Sequence, residues 1–226
     1  MELAELLEIR QGVTAVIGSG GKTTLLQTLG SQLATAGYRV LLTTTTKIRP
    51  FSGIQTLVDP MEEQLDRALR EQRLVCVGSP VEHTGKLTKP GLSIAQLAEL
   101  ADYVLVEADG SANRPLKAHA AHEPVIPAEA NQTVCLVGLS GFGCTIEEAA
   151  HRPEIFAQLA GVTVDCAATP ENIARVLRDE ALADRYIFNQ AEAVEQWAWA
   201  RWCGELLHRP WAVTALQKGV WGTCVL

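Results

Sequence analysis

Long apolar runs are missing from this chain. None approaches the roughly 18–20 residues needed to cross a bilayer as a helix. The opening stretch MELAELLEIR is acidic and amphipathic, and its apolar runs are too short for a secretory leader, so a cytoplasmic protein is expected. An excess of positive charge is missing too: 19 Lys and Arg against 26 Asp and Glu leave a formal net charge of −7. Such a chain suits neither nucleic acid nor an anionic membrane surface, although a local basic pocket for a small phosphorylated ligand stays open. C-x-x-C pairs are absent. The six cysteines (Cys76, Cys135, Cys144, Cys166, Cys203 and Cys224) are scattered, so neither a metal cluster nor a disulfide framework is expected, and they read as mostly buried thiols. Internal repeats and low-complexity segments are absent as well.

What is present is enough apolar material for a sizeable core, 47% of 226 residues, in a length read as one domain over 1–226. Short apolar runs suited to buried strands occur at Val13–Ile17, Arg39–Thr45, Leu74–Gly78, Tyr103–Ala108, Thr133–Leu139, Arg185–Asn189 and Trp211–Ala215. Helical periodicity or capping signals mark Met1–Arg10, Lys22–Tyr38, Met61–Arg73, Ser93–Ala101, Pro153–Ala160, Glu171–Asp179 and Ala191–Leu207. Ser79–Gly91 reads as a loop or small hairpin, and Asp109–Gln132 as a long, functional loop. The alternation predicts an α/β fold: a mostly parallel sheet with helices on both faces, a three-layer sandwich.

The segment VIGSGGKTTLL holds the strongest chemical signal. Gly18, Ser19, Gly20, Gly21, Lys22, Thr23 and Thr24 lie between a predicted strand and a predicted helix, the context a phosphate-binding P-loop requires. Glycines let successive N–H groups turn inward, and the helix N-terminus adds partial positive charge. Lys22 can reach the β- and γ-phosphates of a nucleoside triphosphate, ATP or GTP, and the Thr23 hydroxyl is placed for Mg²⁺. Val16 stands where the longer G-x-x-x-x-G-K-[ST] form has its first glycine, so the loop reads as a short G-x-x-G-K-T form and resembles that of the Mur ligases.

Three further segments read as companions. Glu107 ends a predicted central strand, where an acid orders the Mg²⁺ shell, and Glu107-x-x-Gly110 is an E-x-x-G variant of D-x-x-G. Asp109, Lys47 after the run Thr43–Thr46, and Lys117 are candidates to meet the γ-phosphate or a second substrate, as are Arg114, Lys86 and Lys89 with less to mark them. Asn189-Gln190-Ala191-Glu192 is similar to the guanine-reading N-K-x-D motif, with Asn189 and Glu192 as its end members and Gln190 in place of lysine. An ordinary Asn helix cap accounts for Asn189 equally well. Thr214-Ala215 is a weaker candidate for a base-backing loop. His119, His122 and Glu123 lack the H-E-x-x-H order, so zinc is not expected.

Together VIGSGGKTTLL, VLLTTTTKI, VLVEADGSANRPLKAHAAHEPVIP and VGLSGFGCTIEEAAHRPEIF resemble the YqeC family over about residues 13 to 190. Its members are named as selenium-dependent hydroxylase accessory or selenium cofactor biosynthesis proteins. The resemblance implies a P-loop NTPase fold and a role in maturing selenium-dependent molybdenum hydroxylases, with a client hydroxylase or cofactor-synthesis protein as partner. It maps the family's nucleotide loop to Gly18–Thr24, its acidic strand end to Glu107 and Asp109, and its T-T-T-T-K stretch to Thr43–Lys47. Its P-L-K-A, H-E-P and H-R-P-E stretches fall on Pro115–Ala118, His122–Pro124 and His151–Glu154.

Overall fold

The computed structural model describes residues 2–223. In chain order it begins with α1 (Leu3–Leu6), β1 (Gly12–Gly18), α2 (Lys22–Thr35), β2 (Val40–Thr44), β3 (Lys47–Ile48), β4 (Gln55–Val58) and α3 (Glu62–Gln72). Next come β5 (Leu74–Val81), β6 (Lys86–Thr88), α4 (Ile94–Leu100), β7 (Tyr103–Glu107), β8 (Leu116–Lys117) and β9 (Ala130–Gly138). Then follow α5 (Ile146–Ala149), β10 (Ala150–His151), α6 (Pro153–Ala160), α7 (Pro170–Glu180), β11 (Arg185–Asn189), α8 (Val194–Glu205), β12 (Trp211–Ala215) and β13 (Val220–Thr223). The chain forms two compact units. The first takes the described residues up to Val16, Thr23–Asp109 and Val125–Gln132; the second takes Ile17–Lys22, Gly110–Pro124 and the described residues from Thr133 onward.

In the first unit β7 lies between β1 and β2, β5 follows β2 and β4 follows β5, all parallel. The paired residues sort the sheet into two faces. Val13, Leu41, Val75, Val77, Val104 and Val106 share one core cluster with Leu65 and Leu69 of α3 and Ile94 and Leu97 of α4. The alternate residues face α2, where Gly30 lies against Leu42 and Leu74. These are the expected three layers. Ser93 caps α4 as its sequence predicts, its Oγ accepting from the Gln96 amide at 3.2 Å. The Ser79–Gly91 segment is a hairpin end, β6 pairing antiparallel with both β5 and β3.

The second unit is also built on parallel strands. β11 lies between β9 and β12 in parallel, and β13 closes the edge antiparallel. Its core is aromatic: Phe188 meets Phe142 and Trp211 edge-on, and Trp199 stacks on Phe142 at 6.2 Å. Trp202 remains half exposed.

Three expectations need correction. The predicted helix Met1–Arg10 is only the turn Leu3–Leu6, because Glu8 adopts φ 46° and so short a helix lives on the burial of Leu3, Leu6 and Leu7. The long loop Asp109–Gln132 contains β8, and β9 begins at Ala130, before the expected Thr133. Asn131 and Gln132 hid that start. Their side chains bond the backbone of residues 7–11, Asn131 Nδ2 donating to the Gln11 carbonyl and Gln132 Oε1 accepting from the Arg10 amide. Of the cysteines, Cys76, Cys135 and Cys203 are buried, Cys144 is exposed and Cys166 intermediate; Cys224 lies outside the described residues.

Candidate functional site

The buried run of β1 ends in a turn that only glycine can make. Gly18 has φ 86°, and a Cβ there would stand 2.2 Å from the Leu136 carbonyl oxygen. Gly20 has φ 91°, and its Cβ would stand 2.4 Å from the Gly138 Cα. The loop therefore lies pressed on the end of β9, tied there by the Ser19 amide, which donates to the Leu136 carbonyl at 2.9 Å. Lys22 folds back over the loop, its buried ammonium donating to the Gly18 carbonyl at 2.6 Å. The Ser19 hydroxyl is buried without a hydrogen-bond partner among the described residues. Thr23, in the first turn of α2, is exposed and Thr24 half-buried. Val16 is fully buried strand, paired with Glu107, so the short form of the motif begins where the strand stops.

Asn189, at the end of β11, secures the loop from the side. Its Nδ2 donates to the Gly20 carbonyl at 2.7 Å, while its Oδ1 accepts from the Thr214 hydroxyl at 2.9 Å and the Leu216 amide at 3.1 Å. The side chain is thus a three-way clasp between the phosphate loop, the end of β12 and the residue that follows it. The next residues diverge. Gln190 turns into the left-handed region at φ 73° and accepts from Ser140. Glu192 stands on the surface, 3.3 Å from the Lys218 ammonium, both about half exposed.

In the first unit Glu107 and Asp109 are buried at the carboxyl end of β7. The threonine run beside them is spent on the backbone. Thr43 donates to the Val77 carbonyl, Thr44 to that of Glu107 and Thr45 to that of Val125, at 2.9, 2.8 and 2.7 Å. The Thr46 amide donates to the Thr44 hydroxyl. Lys47 is exposed on β3.

Lys117 lies in the second unit, on β8, which pairs parallel with β10 in the register Lys117↔His151. Its ammonium donates to the Gly110 carbonyl and to Glu123 Oε2, the latter at 2.9 Å. Arg152 Nε donates to the other Glu123 oxygen at 2.6 Å. Burial works to raise the Glu123 pKa, but the hydrogen bonds and charges of Arg152 and Lys117 prevail and hold it below its ordinary value. His119 is buried against Glu180, with Nδ1 2.9 Å from Oε2. Among the described residues no three His, Cys, Asp or Glu side chains come together as a metal cage. The sequence pattern did not single out Glu123 and Arg152 as a pair. Their contact joins segments 29 residues apart, and no local spacing announces it.

The model of the family described as YqeC protein matches residues 14–154. The chain belongs to the YqeC family. A relative from Escherichia coli (strain K12), "Uncharacterized protein YqeC", is 33% identical over 175 residues, covering 75% of this chain and 68% of that protein. Among solved structures, the YqeC-family chain is similar to the signal recognition particle 54 kDa protein from Aeropyrum pernix K1 in complex with GDP, at 15% identity and TM-score 0.46. That match covers 94% of this chain and 43% of the other, less than half its length. The hydrogenase maturation factor HypB from Archaeoglobus fulgidus is 12% identical at TM-score 0.42, over 95% and 87% of the two chains. A chain of the MinC:MinD cell division complex from Aquifex aeolicus is 14% identical at TM-score 0.41, over 89% and 80%. No helix among the described residues is long and apolar enough to cross a membrane.

Proposed function

We propose that this YqeC-family protein binds a nucleoside triphosphate at Gly18–Thr24 and hydrolyses it or transfers its γ-phosphoryl group. The observation that carries the reading is the glycine turn pressed on β9, with Lys22 folded across it and Asn189 fixing it through Gly20. A phosphate oxygen would give the buried Ser19 hydroxyl the partner that a buried polar group calls for. Lys22 would exchange its contact with the Gly18 carbonyl for the β- and γ-phosphates, stabilising charge that develops between them.

The exposed Thr23 hydroxyl is a hard oxygen donor and suits Mg²⁺, which takes most of its ligands from phosphate and water rather than from a protein cage. When bound, Mg²⁺ would neutralise phosphate charge. On the sequence pattern Glu107 is assigned to the metal shell, and Asp109, Lys47 and Lys117 to the γ-phosphate or a second substrate. The clasp from Asn189 to Thr214 and Leu216 favours a nucleobase beside these two segments, with Glu192 as the acid that would read guanine. The family resemblance supports the wider role: an accessory factor, itself cytoplasmic, in maturing selenium-dependent molybdenum hydroxylases, with the hydroxylase or a cofactor-synthesis protein as partner.

A thermal-shift panel of ATP, GTP and CTP with Mg²⁺, on wild type and Lys22→Ala, tests the binding step, because a ligand of the native state raises apparent stability by mass action. Stabilisation of wild type alone is the expected result, followed by NTP turnover that Lys22→Ala lacks. Equal responses from the two proteins would sink the proposal. Stabilisation without turnover, together with nucleotide-dependent capture of a client, would instead favour a nucleotide-gated delivery switch.

A further inference from the structure

Gln190 is held in a backbone conformation that it does not favour. Its φ is 73°, in the left-handed region that residues with a Cβ rarely enter. Such strain persists where the surrounding structure imposes it. Before Gln190, Asn189 is clasped to Gly20, Thr214 and Leu216. After it, the Ala191 amide donates to the Thr214 carbonyl at 3.0 Å, and the Glu192 amide to the Gln190 carbonyl at 2.9 Å. The side chain is fixed as well, with Ser140 Oγ donating to Gln190 Oε1 at 2.7 Å. The carboxamide oxygen is thus engaged, while Nε2 has no hydrogen-bond partner among the described residues. That nitrogen carries two donors.

The carboxamide lies over Gly138, where a Cβ would stand 2.8 Å from Gln190 Oε1. The phosphate loop presses on the same residue, since a Cβ on Gly20 would stand 2.4 Å from the Gly138 Cα. Gln190 therefore reaches back toward the loop. Glu192, two residues on, pairs with Lys218 at the surface instead. In a nucleotide the sugar links the phosphates to the base. With the phosphates at the glycine turn and the base beside Asn189 and Glu192, a donor held between the two falls at the sugar, whose oxygens are acceptors.

We propose that Gln190 is a sugar-binding residue: Ser140 and the left-handed backbone hold its carboxamide so that Nε2 donates to a ribose oxygen of the bound nucleotide. The inference rests on the nucleotide reading and deepens it. Gln190 then adds affinity for a nucleotide whatever its base, and the choice of base is left to its neighbours. A neutral donor is enough for this role, because the sugar carries no charge for a lysine to meet.

The test measures dissociation constants of the full chain for GDP, ADP and inorganic pyrophosphate, each with Mg²⁺, in wild type, Gln190→Gly and Gln190→Met, beside denaturant unfolding of the three proteins. Glycine takes the left-handed backbone freely and removes the side chain, whereas methionine keeps the length and removes the donor. Every nucleotide that wild type binds should bind both variants about fivefold more weakly, the scale of one neutral hydrogen bond, while pyrophosphate stays within about twofold. Gln190→Gly should unfold at no lower denaturant concentration than wild type. A merely structural role would lower stability and weaken all ligands in parallel, and that result overturns the proposal. So does a loss that includes pyrophosphate, a loss for one bound nucleotide and not the other, or unchanged nucleotide affinity in either variant. If wild type binds neither GDP nor ADP, the nucleotide reading fails and takes this inference with it; if wild type binds nucleotide and only the variants disagree, this inference fails alone.

Discussion

Two short polar runs in this chain look alike on paper and differ in the fold. Gly18–Lys22 and Thr43–Thr46 each begin within the end of a buried parallel strand, and each carries donors that could meet an anion. In the first, glycines bend the backbone so tightly that no side chain fits, and the hydroxyl of Ser19 has no partner among the described residues. In the second, the hydroxyls of Thr43, Thr44 and Thr45 each donate to a backbone carbonyl, and Thr44 also accepts from the Thr46 amide. β-Branched residues in a sheet satisfy the sheet. A hydroxyl-rich strand end is therefore weaker support for an anion site than a glycine turn of the same length, because its donors are spent before a ligand arrives.

The sharpest way to break that contrast is Gly20→Ala. Its Cβ would meet the Gly138 Cα at 2.4 Å, where both partners are backbone and cannot step aside, at a φ of 91° that alanine disfavours. Left-handed strain and overpacking together predict a loss of about 3 kcal/mol in denaturant unfolding, with loss of nucleotide binding. A stable, binding-competent Gly20→Ala would mean that the loop is not held as described. Asn189→Ala comes next. It removes the donor to Gly20 and leaves the buried Leu216 amide without its acceptor, an expected loss of about 2 kcal/mol. Nucleotide affinity should fall with it, since the loop loses its lateral support. Unchanged affinity in calorimetry would reduce Asn189 to a structural clasp.

How much of this was legible in the sequence depends on where each partner comes from. The strands of the parallel core could be read directly, because burial on both faces leaves continuous apolar runs such as VTAVI and YVLVE. The phosphate loop could be read because its requirements are local: glycine for positive φ, then lysine at the helix start. The edge strands Gln55–Val58 and Val220–Thr223 could not, since the first has no buried residue and the second opens on the exposed Val220. Nor could the start of β9, where Asn131 and Gln132 serve the backbone of residues 7–11. The Lys117–Glu123–Arg152 cluster was invisible as a unit for a related reason. Each charge reads as solvated until the fold brings Arg152 to Glu123 across 29 positions.

The threonine side of the comparison predicts a smaller and different effect. Thr44→Val keeps the shape of a fully buried residue and deletes the hydroxyl that donates to the Glu107 carbonyl and accepts from Thr46. Stability should fall by about 1 kcal/mol, the net worth of a buried hydrogen bond. Nucleotide affinity should stay within about twofold, less than 0.5 kcal/mol. A tenfold loss of affinity at unchanged stability would show that the run does serve a ligand and that the contrast with the glycine turn is drawn too sharply.

The smallest effect on stability and the finest discrimination both belong to Glu192. Three residues from the buried Asn189, it pairs at the surface with Lys218, where water screens the charge and both side chains keep their freedom. Glu192→Gln should therefore change unfolding free energy by no more than about 0.5 kcal/mol. Base recognition follows a different rule. A carboxylate that accepts from guanine N1 and N2 makes two charge-assisted hydrogen bonds, whereas a carboxamide offers one acceptor and brings an amide donor against a donor edge. If Glu192 reads the base, the glutamine variant should lose affinity for GDP by about tenfold or more and keep its affinity for ADP. Parallel titrations of the two diphosphates measure the difference directly. Equal small changes for both would leave Asn189 as a clasp for the phosphate loop and remove Glu192 from the nucleotide site.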